Sequence, residues 1–159
     1  MSDTIQVVSF KLGSEEYGVD IAQVQEINRM VSITHVPRAP QFMEGVINLR
    51  GQLIPIIDLR TRFGMPRAEH TKNTRIVVTE IGTKRVGMVV DSVSEVLRLP
   101  SDQIEEAPEM ISGVDTEYIR GVGKIEDRLI ILLDLARIIS GAEKRELEET
   151  DVEAVAATA

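Results

Sequence analysis

What most constrains this chain is that it runs one pattern of short strands twice. Ile5 to Leu12 alternates Val8, Phe10 and Leu12 with Val7, Ser9 and Lys11, the period of a strand. Gly13-Ser14-Glu15-Glu16 is a turn, and Tyr17 to Val19 returns as its hairpin partner. Asp20 is placed to cap a single turn around Ile21 to Val24, after which Val24 and Ile27 continue the buried face. Pro37-Arg38-Ala39-Pro40 can be neither regular helix nor central strand, so it is a loop. Val46 to Arg50 and Leu53 to Asp58 form a second hairpin around Gly51-Gln52, and Leu59 to Phe63 is a short helix closed by Gly64 and Pro66. A polar linker, Arg67 to Asn73, follows.

The pattern then restarts. Thr74 to Ile81 is a β-branched run, Gly82-Thr83 a turn and Arg85 to Val90 its return strand. A loop rich in Glu and Pro, Pro100 to Thr116, precedes a hairpin of Tyr118 to Val122 and Leu129 to Leu133 around Glu126-Asp127. Leu135 to Ser140 is a short helix that Gly141 can end. A shift of 69 pairs Gly18, Val24, Glu26 and Ile27 with Gly87, Val93, Glu95 and Val96. A shift of 76 pairs Gly45, Val46, Asp58 and Leu59 with Gly121, Val122, Asp134 and Leu135, and sets 53–57 over 129–133. The change of offset is an insertion, placed most naturally in the Pro100 to Thr116 loop. Matches that keep their order across both hairpins imply internal duplication: two small, similar β-barrels. Each half holds only about 65–70 residues, marginal for independent stability, so the two are expected to pack together.

Charge and composition narrow the function. The 159 residues carry a net charge of −8, so phosphate backbones are poor partners, and the short basic stretch Arg60 to Arg67 lacks aromatics to stack on bases. The absence of Cys excludes thiol catalysis, thiolate metal sites and disulfides. The N-terminus has no signal-peptide pattern and no apolar run nears the ~20 residues of a membrane span, so the chain reads as soluble and cytoplasmic, with no direct membrane insertion. His35 and His70 stand apart in loops, in no ligand spacing. Gly121-Val122-Gly123-Lys124 fails as a phosphate loop, because Tyr118 and Ile125 stand where Gly and Ser or Thr are needed. No nucleophile elbow occurs, and Asp58, Asp91 and Asp134 at strand ends read as caps. No catalytic residue, metal site or cofactor is expected.

Gly45-Val46-Ile47-Asn48-Leu49-Arg50-Gly51 asks for another explanation. Alternation puts Ile47 and Leu49 on a core face and presents Val46, Asn48 and Arg50 on the other. An Arg there suits a protein interface, although an exposed ion pair of little weight is the ordinary reading. This segment, with Glu15-Glu16-Tyr17-Gly18-Val19-Asp20-Ile21, Val24-Gln25-Glu26-Ile27, Ile54-Pro55-Ile56-Ile57-Asp58-Leu59 and Gly87-Met88-Val89-Val90-Asp91-Ser92-Val93, resembles the CheW-like domain family of bacterial chemotaxis coupling proteins. The resemblance runs from about Ile5 to Ile139. It implies an all-β fold, mainly β with short helices, of two similar five-stranded SH3-like barrels packed together. Residues 1–141 would be one CheW-like domain with barrel subdomains of about 5–70 and 71–141, free to intertwine at the termini. Residues 142–159 would be an acidic tail or peripheral helix.

It further implies a non-catalytic adaptor between the regulatory domain of the histidine kinase CheA and the cytoplasmic tip of methyl-accepting chemotaxis receptors, recruited to receptor clusters at the inner membrane. Positions matching the family's receptor-binding groove are Ile21, Val24, Glu26, Gly45, Asn48, Arg50, Val86 and Gly87. Ile21, Val24, Val86 and Gly87 would line an apolar groove between the barrels, and Glu26 and Arg50 would supply polar register. The competing reading is a small-molecule sensing module that uses the same groove. Few aromatic and polar anchors converge to define such a pocket.

Overall fold

The structure, a computed structural model, describes residues 4–37, 43–66, 68–81, 84–106 and 118–138. Loop 38–42, the turn at 82–83, Arg67, most of the Pro100 to Thr116 loop and the tail expected at 142–159 lie outside the described residues. The first half contributes β1 (Thr4–Leu12), β2 (Glu15–Asp20), β3 (Val24–Arg29), β4 (Gly45–Leu49), β5 (Gln52–Asp58) and α1 (Leu59–Arg62). The second contributes β6 (Arg75–Ile81), β7 (Lys84–Val90), β8 (Ser92–Pro100), β9 (Ile104–Glu105), β10 (Ile119–Ile125), β11 (Arg128–Leu133) and α2 (Leu135–Ile138). The 69 and 76 offsets map β1 to β5 onto β6, β7, β8, β10 and β11, and α1 onto α2. The extra strand β9 falls in the segment where the offset changes. Two elements were not expected: β3 as a strand and the nine-residue β8, whose face away from the core is largely exposed.

One sheet runs β8-β1-β2-β11-β10-β9 and the other β3-β6-β7-β5-β4. In repeat terms both read third-first-second-fifth-fourth. The first sheet, however, takes β1 and β2 from the first half and β8 to β11 from the second, whereas the other sheet takes β6 and β7 from the second half and β3, β4 and β5 from the first. The halves are thus exchanged, and the expected boundary near residue 70 marks the repeat unit rather than the membership of the sheets. The exchange is sealed by two equivalent parallel contacts, Leu132 beside Gly18 and Ile56 beside Gly87. Parallel neighbours need a long crossover, which the rest of each half supplies. Each sheet also closes. Thr34, beyond one edge strand, bonds Val46 on the other edge with N···O distances of 2.8 and 2.9 Å. Its counterpart, Glu105 on β9, pairs with Val122 on β10.

Three apolar layers follow. Val7, Leu99, Ile130 and Leu132 fill the first barrel, and Ile47, Ile54, Ile56, Ile76, Val78 and Val89 fill the second. The largest layer lies between the sheets and draws Phe10, Tyr17, Val46, Ile57, Val77, Val86, Met88, Ile131 and Leu135 from both. A row of rings, Phe10, Tyr17, Phe63 and Tyr118, runs through it at centroid spacings of 5.7 to 5.9 Å, stacked at both ends and tilted between Tyr17 and Phe63. Burial pushes the Tyr17 hydroxyl up to about 12, with the Glu15 charge adding to the effect. Strands β4 and β7 are therefore covered on both faces. Val46 and Ile47 are both buried, against the one-sided pattern expected for β4, whereas Ile27 is 40% exposed where a buried face was expected.

Candidate partner-binding site

The two-residue turn between β4 and β5 carries the unusual Arg. Arg50 has φ 52° and Gly51 φ 85°, the left-handed pair of a type I′ turn, whose twist suits a tight hairpin. Arg50 therefore leaves the strand face on which alternation placed it. A non-glycine residue held there costs about 1–2 kcal/mol, so its neighbours must fix it. Asn48 does part of this, its Oδ1 accepting the Gly51 N–H at 2.9 Å. Arg50 Nη2 then donates to both oxygens of Glu26 at 2.7 Å. The guanidinium holds the Glu26 carboxyl below its usual range, and the Arg85 charge adds to this. The pair ties together the two edge strands of the second sheet.

Sheet pairing brings the other expected residues into two neighbouring rows. Glu26 pairs with Val78, Val78 with Gly87, Gly87 with Ile56 and Ile56 with Gly45. Val24 pairs with Thr79 and Thr79 with Val86. A bulge at Gln25 makes Val24 and Glu26 oppose adjacent residues of β6, so they point to opposite faces although only two positions apart. Val24 thereby packs on the layer between the barrels, while Glu26 lies on the barrel-interior side next to Val78.

The expected groove is corrected in one respect. Val86 is fully buried in the central layer. A Cβ on Gly87 would lie 2.6 Å from Ile56 Cδ1 and 2.9 Å from Ile76 Cγ2. Val86 is closed off by the layer between the barrels and Gly87 by the second barrel's own interior residues Ile56 and Ile76, so neither lines an open surface. Gly45 is buried as well, and a Cβ there would overlap the Thr34 carbonyl oxygen. What remains accessible is a rim: Ile21 at 36% exposure, partly buried Val24, and the polar cluster of Glu26, Asn48 and Arg50. The structure adds Arg85, whose Nη1 donates to Gln52 Oε1 at 2.5 Å, and Asn28, whose side-chain amide helps Arg50 hold the Glu26 carboxyl below its usual range. Sequence reasoning missed both. The signal available was their spacing of two from Gly87 and from Glu26, which alternation places nearby.

Among the described residues no cluster of three His, Asp or Glu side chains could hold a metal, and no helix is long and apolar enough to cross a membrane. A family model, CheW-like domain, matches residues 6–143. The chain belongs to the CheW-like domain family. It is 44% identical over 134 residues to the chemotaxis protein CheW of Klebsiella aerogenes, covering 84% of this chain and 81% of that one. It is 38% identical over 138 residues to a probable chemotaxis protein CheW of Rhizobium etli, with coverage of 87% and 89%. The crystal structure of the scaffolding protein TtCheW from Thermoanaerobacter tengcongensis superposes with a TM-score of 0.79 at 38% identity, covering 88% of this chain and 90% of that one. The two-sheet CheW-like fold is thus shared. None of these names speaks for a small-molecule sensor.

Proposed function

We propose that this chain is a chemotaxis adaptor that couples chemoreceptors to the histidine kinase CheA and performs no chemistry of its own. The observation that carries this reading is the family match over nearly the whole chain, to relatives named as chemotaxis and scaffolding proteins. The working unit is residues 1–141, whose two exchanged barrels share one central core. The receptor's cytoplasmic tip docks on the rim of Ile21, Val24, Glu26, Asn48 and Arg50, where exposed apolar atoms sit beside an oriented charge pair. Gly45, Val86 and Gly87 act from beneath, by letting the strands under that rim pack closely. Such an adaptor works in the cytoplasm, recruited to receptor clusters at the inner membrane through its partners.

The test is binding of the full chain to a purified receptor cytoplasmic fragment and to the CheA regulatory domain. Both are expected to bind. Arg50→Glu is expected to lose the receptor fragment while keeping its melting temperature. Failure of the parent chain to capture either partner at micromolar concentration overturns the adaptor reading. An Arg50→Glu chain that unfolds overturns the placement of Arg50 at a contact surface.

A further inference from the structure

A cationic cleft lies on the second barrel, where β3 ends and β6 begins. It has a volume of ≈ 490 Å³ and is lined by Arg29, Met30, Thr71, Lys72, Asn73, Thr74 and Arg75. Arg29 and Arg75 stand directly opposite each other in the β3–β6 register. Like charges in that position repel. The equivalent pair in the other sheet, offset by 69 residues, is Gln6 opposite Arg98, where the repulsion is absent. Arg75 is oriented from behind, its Nη1 donating to the carbonyls of Lys72 at 2.8 Å and Thr74 at 2.9 Å. The side chains of Arg29 and Lys72 make no hydrogen bond or ion pair among the described residues. Among the described residues no carboxylate lines the cleft, and Glu69, the nearest in sequence, is outside the lining. In a chain of net charge −8, three clustered cations without a counter-ion form an anion-binding surface.

We propose that this cleft binds the chain's own acidic C-terminal segment. Beyond Ile138 the sequence carries Glu143, Glu146, Glu148, Glu149, Asp151 and Glu153 against Lys144 and Arg145, so the charges are complementary. The point of departure, on α2, is held against that barrel's helix: the Ile138 carbonyl accepts from Arg62 Nε on α1 at 2.9 Å. Arg60 of α1 pairs with Asp91, the residue after Val90, and Val90 is opposite Arg75 in register. The ten residues from Ile138 to Glu148 span up to ~33 Å when extended, a distance that crosses a barrel of this size. Tethering supplies an effective concentration on the order of millimolar, so even a weak carboxylate–guanidinium contact is populated and a free anion must compete with it.

The chain contains no Cys, which makes the test clean. A spin label on Thr150→Cys in the full chain is expected to broaden the amide signals of Thr71 to Arg75 at low salt. The effect should vanish in ~1 M NaCl, where the screening length is about 3 Å. It should also vanish in Arg29→Gln/Lys72→Gln, a milder change than charge reversal and one expected to leave the fold intact. Neutralising the segment with Glu146→Gln/Glu148→Gln/Glu149→Gln/Asp151→Asn should release it without touching the barrel. Absence of broadening at Thr71 to Arg75, or broadening indifferent to both sets of charge changes, overturns the proposal. So does broadening that appears only between a labelled and an unlabelled copy, which assigns the segment to a neighbour's cleft. Inorganic phosphate that shifts these amides while the label never reaches them identifies the cleft as a site for another anion, and overturns it equally.

Discussion

Gly87→Ala tests whether the residues beneath the rim act through packing. The added Cβ would meet Ile56 Cδ1 at 2.6 Å and Ile76 Cγ2 at 2.9 Å, closer than real side chains approach. Both neighbours are fully buried, so neither can swing away. Overpacking of this kind costs about 1–3 kcal/mol, and the lost freedom of the unfolded glycine returns about 0.4–1 kcal/mol. The net expectation is a destabilisation of about 1–2 kcal/mol, or roughly 2–8 °C in melting temperature for a chain of this length. The repeat supplies a control. Gly18 is covered by the equivalent residues Ile130, Leu132 and Val7, but at 3.0, 3.3 and 3.3 Å. Gly18→Ala should therefore cost less than about 1 kcal/mol. A second substitution makes the argument specific, because Ile56→Val deletes the offending Cδ1. Alone it should cost about 0.5–1.5 kcal/mol, yet in the Gly87→Ala background it should cost about 1 kcal/mol less, a coupling that a double-mutant cycle reads directly. Urea denaturation of the four chains gives each value. A Gly87→Ala protein as stable as its parent, or one in which Ile56→Val costs as much as it does in the parent, refutes the reasoning. If it is fully stable yet no longer binds its partner, Gly87 belongs to the contact surface and not to the core.

Exchanging the charges of the rim pair, Glu26→Arg with Arg50→Glu, should restore the ion pair and the parent's melting temperature but leave receptor binding lost. Binding that returns with the swap would mean the pair serves only to close the barrel. Asp91 accepts from the Arg60 Nε and Nη2 at 2.8 and 2.5 Å and from the Gly13 N–H at 2.8 Å, joining a hairpin of one barrel to the helix of the other. Arg60 holds its carboxyl below the usual range, so its contribution is complete above the unfolded Asp value near 4 and fades as pH falls through the lower folded value. Asp91→Asn should accordingly cost about 1–3 kcal/mol at pH 7, with the gap to the parent narrowing below about pH 4 in thermal melts. Asp58 and Asp134 each accept the N–H two residues on, at 2.9 and 3.1 Å, capping α1 and α2. Asp58→Ala and Asp134→Ala should each cost about 1 kcal/mol in urea denaturation.

The candidate residues could be named from the sequence, but not how the sheet arranges them. Glu26, Gly45 and the adjacent Val86 and Gly87 come from three separate stretches of sequence, yet pairing through Val78, Ile56 and Thr79 sets them in two rows of one sheet. Two local irregularities then decide what is exposed. The bulge at Gln25 turns Glu26 to the side opposite Val24, and the left-handed Arg50 swings out of its strand. Neither follows from alternation, which assumes an unbroken period of two. Ile27 and Val46 were misread for a related reason. A strand covered on both faces shows no alternation, and an apolar residue on an edge strand can face solvent.

Read alone, the sequence determined the duplication, four of the hairpin strands in each half, the caps at Asp20, Asp58 and Asp134, and the family. These rest on short-range causes: the period of side chains along a strand, the conformations that Gly and Asp favour in turns, and the order in which motifs recur. Only the tertiary structure decided which half completes which barrel. Backbone hydrogen bonds carry no label of their partner, so the pairing of β2 with β11 and of β5 with β7 is set by how apolar faces are shared among three layers. Two units too small to stand alone exchange strands and bury a common core, and that core closes the groove and leaves the rim.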